Sequence, residues 1–243
     1  MTILSIPGVH YMLFNLMNNS FPKNKGKNIL GSPFALPDGW QTVSWNATVL
    51  FILPAILIIT LTTNEFTFKT HRQNVIDGWS RGQFIAVKLF ELLLLSIVCT
   101  ITVFLTGLVF GTMVNKLPDG VSLWQNFSFV FYYFISALSY FAIAFVLTML
   151  IKRAGLAIAA FLGYLIVEQI VVGFGRGLYH FDGVNYLPEE VTDRLIPFPY
   201  FKAILPADAA AYEHALPWHL VIAVLYLLAY CLFTWRRFTT SDL

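Results

Sequence analysis

The sequence predicts an all-α polytopic membrane protein with six transmembrane helices, the first of them short or truncated. Three observations lead there. Charged residues make up only 12% of the 243-residue chain and apolar residues 58%, whereas a soluble domain needs about 25% charged residues to cover its surface. Mean hydropathy is +0.71, so most of the surface must face lipid rather than water. The apolar residues also gather in runs of the roughly 20 residues that a spanning helix requires. The 23 Phe, 11 Tyr and 6 Trp agree with this, because aromatic side chains serve lipid-facing and interfacial positions alike.

The elements follow in order along a single transmembrane domain, residues 1–243. The first span, about residues 3–18, is the weakest, being short and holding Pro7, Gly8, His10 and Asn15. Residues 19–42 are rich in Asn, Gly, Pro and Lys, as expected of an external loop. The second span covers residues 43–62, with Pro54 a kink that neighbouring helices must accommodate. A short amphipathic helix, a break at Gly78 and a new helix capped by Ser80 come next, since Ser accepts first-turn amides. The third span, 84–111, is long enough to cross with tilt. The fourth, 124–151, opens on the aromatic cluster Phe127, Phe129, Phe131, Tyr132, Tyr133 and Phe134. Only Lys152 and Arg153 separate it from the fifth, 154–173. The GFGRG stretch (Gly173–Gly177) reads as a flexible exit into the longest external loop, 174–217. In that loop Pro188, Glu189 and Glu190 predict the first turn of a short helix through Leu195. Residues 196–206 are apolar but broken by Pro197, Pro199 and Pro206, so they either dip into the outer leaflet or pack on the bundle. The sixth span is 218–235.

Sidedness comes from basic residues near the spans. Lys69, Arg72, Arg81, Lys152, Arg153, Arg236 and Arg237 crowd short connections, whereas Lys23, Lys25, Lys27, Lys116, Arg176, Arg194 and Lys202 are spread over long ones. Residues 63–83, 152–153 and 236–243, the C-terminus included, are therefore expected in the cytoplasm, with the chain multi-pass in the inner (cytoplasmic) membrane of the cell.

Several function classes are disfavoured. A net charge of +2, scattered along the chain, does not suggest nucleic acid. Cys99 and Cys231 lie in apolar runs and support neither a disulfide framework nor a metal cage. No GxxxxGK[ST], HExxH or CxxC occurs, and His180, His214 and His219 lack ligand spacing, so no catalytic residue, metal or cofactor is expected. Lys88 and Glu91, at i and i+3, read as an interfacial ion pair with a snorkelling lysine. Glu168, beside Gln169, stands well inside the fifth span, where a charge is costly. It marks a substrate path or gate, an outer-interface position, or a helix–helix hydrogen bond. No proton relay is expected, because no second buried carboxylate accompanies it.

The segment between the second and third spans is the most specific. Phe66, Phe68, Val75, Ile76 and Trp79 are too many apolar groups for a solvated loop, and need a bilayer surface or a protein groove. An acidic residue after the second span, a short helix, then Ser-Arg-x-x-Phe/Ile-x-x-x-Lys resembles the permease subunits of ABC-2 type transporters. The matching residues are Glu65, Arg72, Ser80, Arg81, Phe84 and Lys88. The ending from Phe233 to Leu243, with its basic residues and final Asp-Leu, is similar to the family's, as is the long loop between the fifth and sixth spans. The similarity covers about residues 43–243. No amphipathic basic helix precedes the first span as the family has it, so the start is expected to be truncated or divergent.

The resemblance implies a non-enzymatic permease that forms the path for an unknown substrate, export being the expected direction. ATP would be bound by a separate cytoplasmic ATPase subunit, and a second permease chain, identical or paralogous, would complete the path in the lipid membrane. Residues 65–79 would be the coupling helix. Glu65, Phe66, Phe68, Arg72, Val75, Ile76, Asp77, Trp79, Ser80 and Arg81 would couple to the ATPase, and Glu168 and Gln169 would be candidates for the path. The rival for 65–79 is a helix lying in the membrane interface. The rivals for the whole chain are a structural or assembly subunit of a membrane complex and a membrane-embedded lipid-modifying enzyme.

Overall fold

Long apolar runs without internal polar breaks can satisfy their backbone in lipid only as helices, and the computed structural model is built almost wholly of them. It describes residues 2–20, 23–24, 27–28, 34–70, 73, 76, 78–114, 122–199 and 206–240. Arg72, Val75 and Asp77, three of the expected coupling residues, lie outside the described residues. The helices are α1 (Thr2–Ser20), α2 (Gly39–Thr48), α3 (Ile52–Thr67), α4 (Arg81–Val114), α5 (Ser128–Ile151), α6 (Ala154–Gly177), α7 (Pro188–Asp193) and α8 (Pro206–Thr240). Short 3-10 turns cover Val49–Phe51 and Asp182–Tyr186, and a two-residue antiparallel ladder pairs Lys23–Asn24 with Lys27–Asn28. Among the described residues five helical stretches are long and apolar enough to cross a membrane: Gly39–Thr67, Arg81–Met113, Ser128–Ile151, Ala154–Gly177 and Ala215–Thr240. The first predicted span is helical as α1 but is not among those five. Several hydroxyls within these stretches are satisfied locally: Thr60, Thr63, Ser96, Thr106, Thr148 and Thr234 each donate to the carbonyl four residues back.

Four boundaries differ from expectation, each for a local reason. The second span begins at Gly39, and its irregularity lies at Val49–Phe51 rather than at Pro54 itself. Pro54 has no N–H for the Leu50 carbonyl and its ring crowds that carbonyl, so the preceding turn tightens. The fourth helix begins at Ser128, because Asn126 adopts a left-handed φ of 67° and turns the chain. The GFGRG stretch is no flexible exit but the last turn of α6. Its Gly175 answers a packing need, since a Cβ there would lie 2.4 Å from Val184 Cγ1. The last helix starts at Pro206, with Pro217 inside it, so the predicted loop 174–217 is helical at both ends. The short helix predicted from Pro188 is α7.

The chain forms two compact units. The first comprises Met1–Leu50, Ile97–Phe134 and Leu195–Pro217. Its centre is Trp40, which stacks on Phe104 at 5.8 Å and on Trp124 at 6.3 Å, meets Phe127 edge-on at 5.4 Å, and donates its indole N–H to the Leu123 carbonyl at 2.8 Å. The indole fits because Gly107 leaves room, since a Cβ there would lie 2.7 Å from the Trp40 ring; Gly111 does the same for Leu36, where a Cβ would lie 2.5 Å from Cγ. Buried His10 ties α1 to α2, its ring nitrogens 2.6 Å from the Ile6 carbonyl and 3.0 Å from the Val43 carbonyl. The start of the proline-broken run packs on α2: Gln41 donates to the Pro197 carbonyl at 2.9 Å, and Phe198 lies against Trp45 at 5.0 Å. The second unit comprises Phe51–Ser96, Ile135–Arg194 and Trp218–Leu243, and holds the polar clusters described below.

Gly107→Ala forces a methyl into the rigid Trp40 ring, and overpacking of that kind costs about 1–3 kcal/mol. Thermal unfolding in detergent is expected to show a clear fall in midpoint for Gly107→Ala and none for Gly163→Ala, which meets no atom within 4 Å.

Candidate functional site

Two clusters of charged side chains occur in the second unit. The first sits where α3 gives way to the segment leading into α4. Lys88, near the start of α4, is buried and donates to Glu65 Oε1 at 2.5 Å and to Glu91 Oε2 at 2.9 Å. The expected Lys88–Glu91 pair is present, and the structure adds Glu65 from the end of α3. One ammonium thus fastens two spans together. Nearby aromatic faces reinforce the cationic side: Lys88 Nζ lies 5.8 Å from the Phe84 ring centre and Lys152 Nζ 5.4 Å from that of Phe66.

The start of α4 is built as the sequence predicts. Gly78 turns the chain at a φ of +100°, which suits a residue without Cβ. Ser80 Oγ accepts the Gln83 amide at 3.2 Å while Gln83 Oε1 accepts the Ser80 amide at 2.8 Å, a reciprocal cap. Arg81 donates to the Thr239 carbonyl at 3.4 Å and Phe84 stacks on Phe238 at 4.9 Å, which anchors this end of α4 to the end of α8. Between these fixed ends the apolar groups stand outward: Phe68 is 74% exposed, Ile76 83% and Trp79 45%.

The second cluster surrounds α7. Glu168, the buried carboxylate of α6, accepts the Glu189 amide at 2.6 Å and the Glu190 amide at 3.0 Å through Oε1. It therefore caps the first turn of α7 from another helix, where the exposed amides and the helix dipole favour an anion. Of the readings open at sequence level, the geometry places Glu168 in an inter-helix hydrogen bond. Gln169 is exposed, with Nε2 3.4 Å from Asp193 Oδ2. Glu190 receives Arg194 at 2.7 Å and also Arg176, which in turn donates to Asn185 at 2.8 Å. Ser136 on α5 donates to the Thr192 carbonyl at 3.0 Å, so α7 is held at both ends.

The remaining two carboxyls share one hydroxyl. Tyr140 Oη on α5 lies 2.7 Å from Glu189 Oε1 and 2.9 Å from Asp193 Oδ1. Burial, reinforced by the neighbouring Asp193 charge, pushes the Glu189 carboxyl up to about 8. Burial likewise pushes Asp193 up to about 7, with Tyr140 pulling the other way and the Glu190 and Glu168 charges adding to the rise. The expectation that no second buried carboxylate accompanies Glu168 is thus corrected: α7 folds back on the bundle and brings buried Glu189 and Glu190, with half-buried Asp193 beside them. Tyr140, Glu189 and Asp193 were not singled out in sequence as chemistry-bearing residues. The i, i+4 spacing of Glu189 and Asp193 was the available signal, but only the packing of α7 shows what that face meets. Among the described residues no group of three or more His, Cys, Asp or Glu side chains could hold a metal ion.

Helical spans of this length and apolarity define a multi-pass α-helical membrane protein. The chain belongs to the family described as protein of unknown function (DUF2705), whose model matches residues 11–243. Curated proteins give no match.

Lys88→Met leaves Glu65 and Glu91 facing one another without a cation. The expected destabilisation is about 2 kcal/mol, below the value for a fully buried pair because Glu91 is half-exposed. Glu91→Gln is expected to cost under about 1 kcal/mol in the same unfolding measurement, as Glu65 still balances Lys88.

Proposed function

We propose that this chain is the membrane-spanning permease subunit of an ABC-2 type transporter. In this reading it lies in the inner cell membrane with its C-terminus in the cytoplasm, forms the path for an exported substrate, and is driven by a separate ATPase. The observation that supports it best is how the described residues at the two ends of 65–81 are anchored. Lys88 clamps Glu65 to α4, and Arg81 and Phe84 fix the other end, so a push on the stretch between them is delivered to α3 and α4 together. That stretch presents Phe68, Ile76 and Trp79 outward, an apolar surface that a groove on a partner would cover. The sequence has no phosphate loop, so the motor and its ATP belong to that partner.

In this scheme α1 supplies the sixth span, two chains pair around the path, and ATP-driven closure of the motor moves the bundle between inward- and outward-open states. Glu168 stands fourteen residues along α6, about 21 Å from its first residue, which sets it in the outer part of a hydrocarbon layer about 30 Å thick. Its cluster with α7 then faces the cell exterior.

An affinity-tagged chain is expected to bring down a nucleotide-hydrolysing subunit. Ile76→Ala with Trp79→Ala is expected to cut that recovery at least about tenfold while the chain still inserts, since truncating two apolar anchors removes well over 1.4 kcal/mol. Equal recovery from both chains counts against coupling, and release of the segment from vesicles by the double substitution assigns it to the bilayer surface instead.

The topology has its own check. Tyr179 is 77% exposed, whereas Thr192 is buried and the native thiols Cys99 and Cys231 lie in spanning helices. A cysteine at Tyr179 is expected to react with an impermeant thiol reagent in intact cells; reaction only after lysis reverses the sidedness.

A further inference from the structure

A phenol has one proton to give, yet Tyr140 Oη lies within hydrogen-bond distance of two carboxyl oxygens, at 2.7 and 2.9 Å. Both contacts are satisfied only if one carboxyl is itself an O–H that donates back to the phenol oxygen. Glu189 is only 4% exposed, and its second oxygen, Oε2, is buried with no hydrogen-bond partner among the described residues. An ionised carboxylate left so would be far costlier than a neutral acid. The surrounding charges point the same way. Four carboxyl groups, Glu168, Glu189, Glu190 and Asp193, gather around two guanidiniums, and both guanidiniums, Arg176 and Arg194, reach Glu190. Glu168 already accepts two backbone amides through Oε1.

We propose that Glu189, Asp193 and Tyr140 form a proton-binding clasp, which holds α7 on α5 and α6 while the carboxyls are neutral and lets it go when they ionise. The groups facing the clasp are Tyr140 from α5; Tyr164, Glu168, Gln169 and Arg176 from α6; and Glu190 and Arg194 from α7 and the residue after it. Tyr226 and Tyr230 of α8 face Glu168, and Asp182 on the 3-10 turn is exposed to solvent. On ionisation each carboxyl O–H gives its proton to bulk water, and Tyr140 keeps its own. Two anions then flank one donor and repel each other and Glu168, and hydrating them requires α7 to leave its seat.

The sign follows from proton counting. Docked α7 binds more protons than undocked α7 wherever the pH lies above the ordinary carboxyl values, 4.5 and 3.8, and below the raised ones, about 8 and about 7. Docking therefore weakens as pH rises through that window, by roughly tenfold per pH unit for each proton released, and changes no further above it.

The experiment uses the full chain in lipid nanodiscs and needs no partner, so it stands apart from the transport reading. Infrared difference spectra between about pH 5.5 and about pH 8.5 report the carbonyl stretch of protonated carboxyls across the window in which the clasp ionises. A cysteine replacing Thr192, which is 1% exposed, reports release of α7 to an aqueous thiol reagent, its rate divided by that of the denatured chain at the same pH. The wild-type clasp is expected to lose protonated-carboxyl signal and to label at least about tenfold faster at the higher pH. Glu189→Gln with Asp193→Asn is expected to remove that signal and keep labelling slow at both values. Tyr140→Phe, which takes away the donor that favours the ionised form, is expected to move the infrared midpoint to higher pH. Equal normalised labelling at the two pH values overturns the proposal, as does a carboxyl signal that the double variant retains. If the double variant does not fold, a Tyr140→Phe midpoint that stays put or falls overturns it.

Discussion

A carboxylate inside a lipid-covered helix has no water to solvate it, so it must find donors within the protein. Glu168 meets that demand with the two unpaired amides at the start of α7. The same contact meets a second demand, because a six-residue helix outside the spans has no other partner for those amides and little intrinsic stability. Each group is an unpaid cost without the other. Their union folds the chain after α6 back onto the bundle, and every other contact of the cluster follows from it: the paired arginines on Glu190, the Ser136 bond to Thr192, and the hydroxyl that Glu189 and Asp193 share.

The Lys88 cluster answers the same physics with different chemistry. A buried ammonium is tolerated because two carboxylates reach it, and one of them belongs to the preceding span. The geometry anchors the chain on either side of the exposed Phe68, Ile76 and Trp79. The α7 cluster differs in kind, since its charges do not balance unless protons are added.

Hydrophobic packing sets the rest. In the first unit a single indole, Trp40, organises three other aromatic rings, and Gly107 on α4 makes the space. Close approach of this sort replaces the hydrophobic drive that lipid cannot supply between helices.

Much was legible in the amino acids alone. The membrane-spanning class, five of the spans, the cap at Ser80, the Lys88–Glu91 pair and the short helix at Pro188 all follow from local pattern, because hydropathy, capping and i, i+3 spacing act within a few residues. The start of the second span at Gly39, the helical Gly173–Gly177 turn and the early start of α8 are not legible in sequence, since their polar, glycine or proline residues carry no local helix signal. Trp40 gave no sign in a loop-like stretch of what it would stack on. The partners that Glu168, Lys88 and Tyr140 find on other elements lie 21 or more residues away in the chain, and no periodicity links them. Composition decided that this chain must live in lipid; only the packing of distant helices decided which of its few charges would meet, because electrostatic pairing depends on distance in space and the sequence records only distance along the chain.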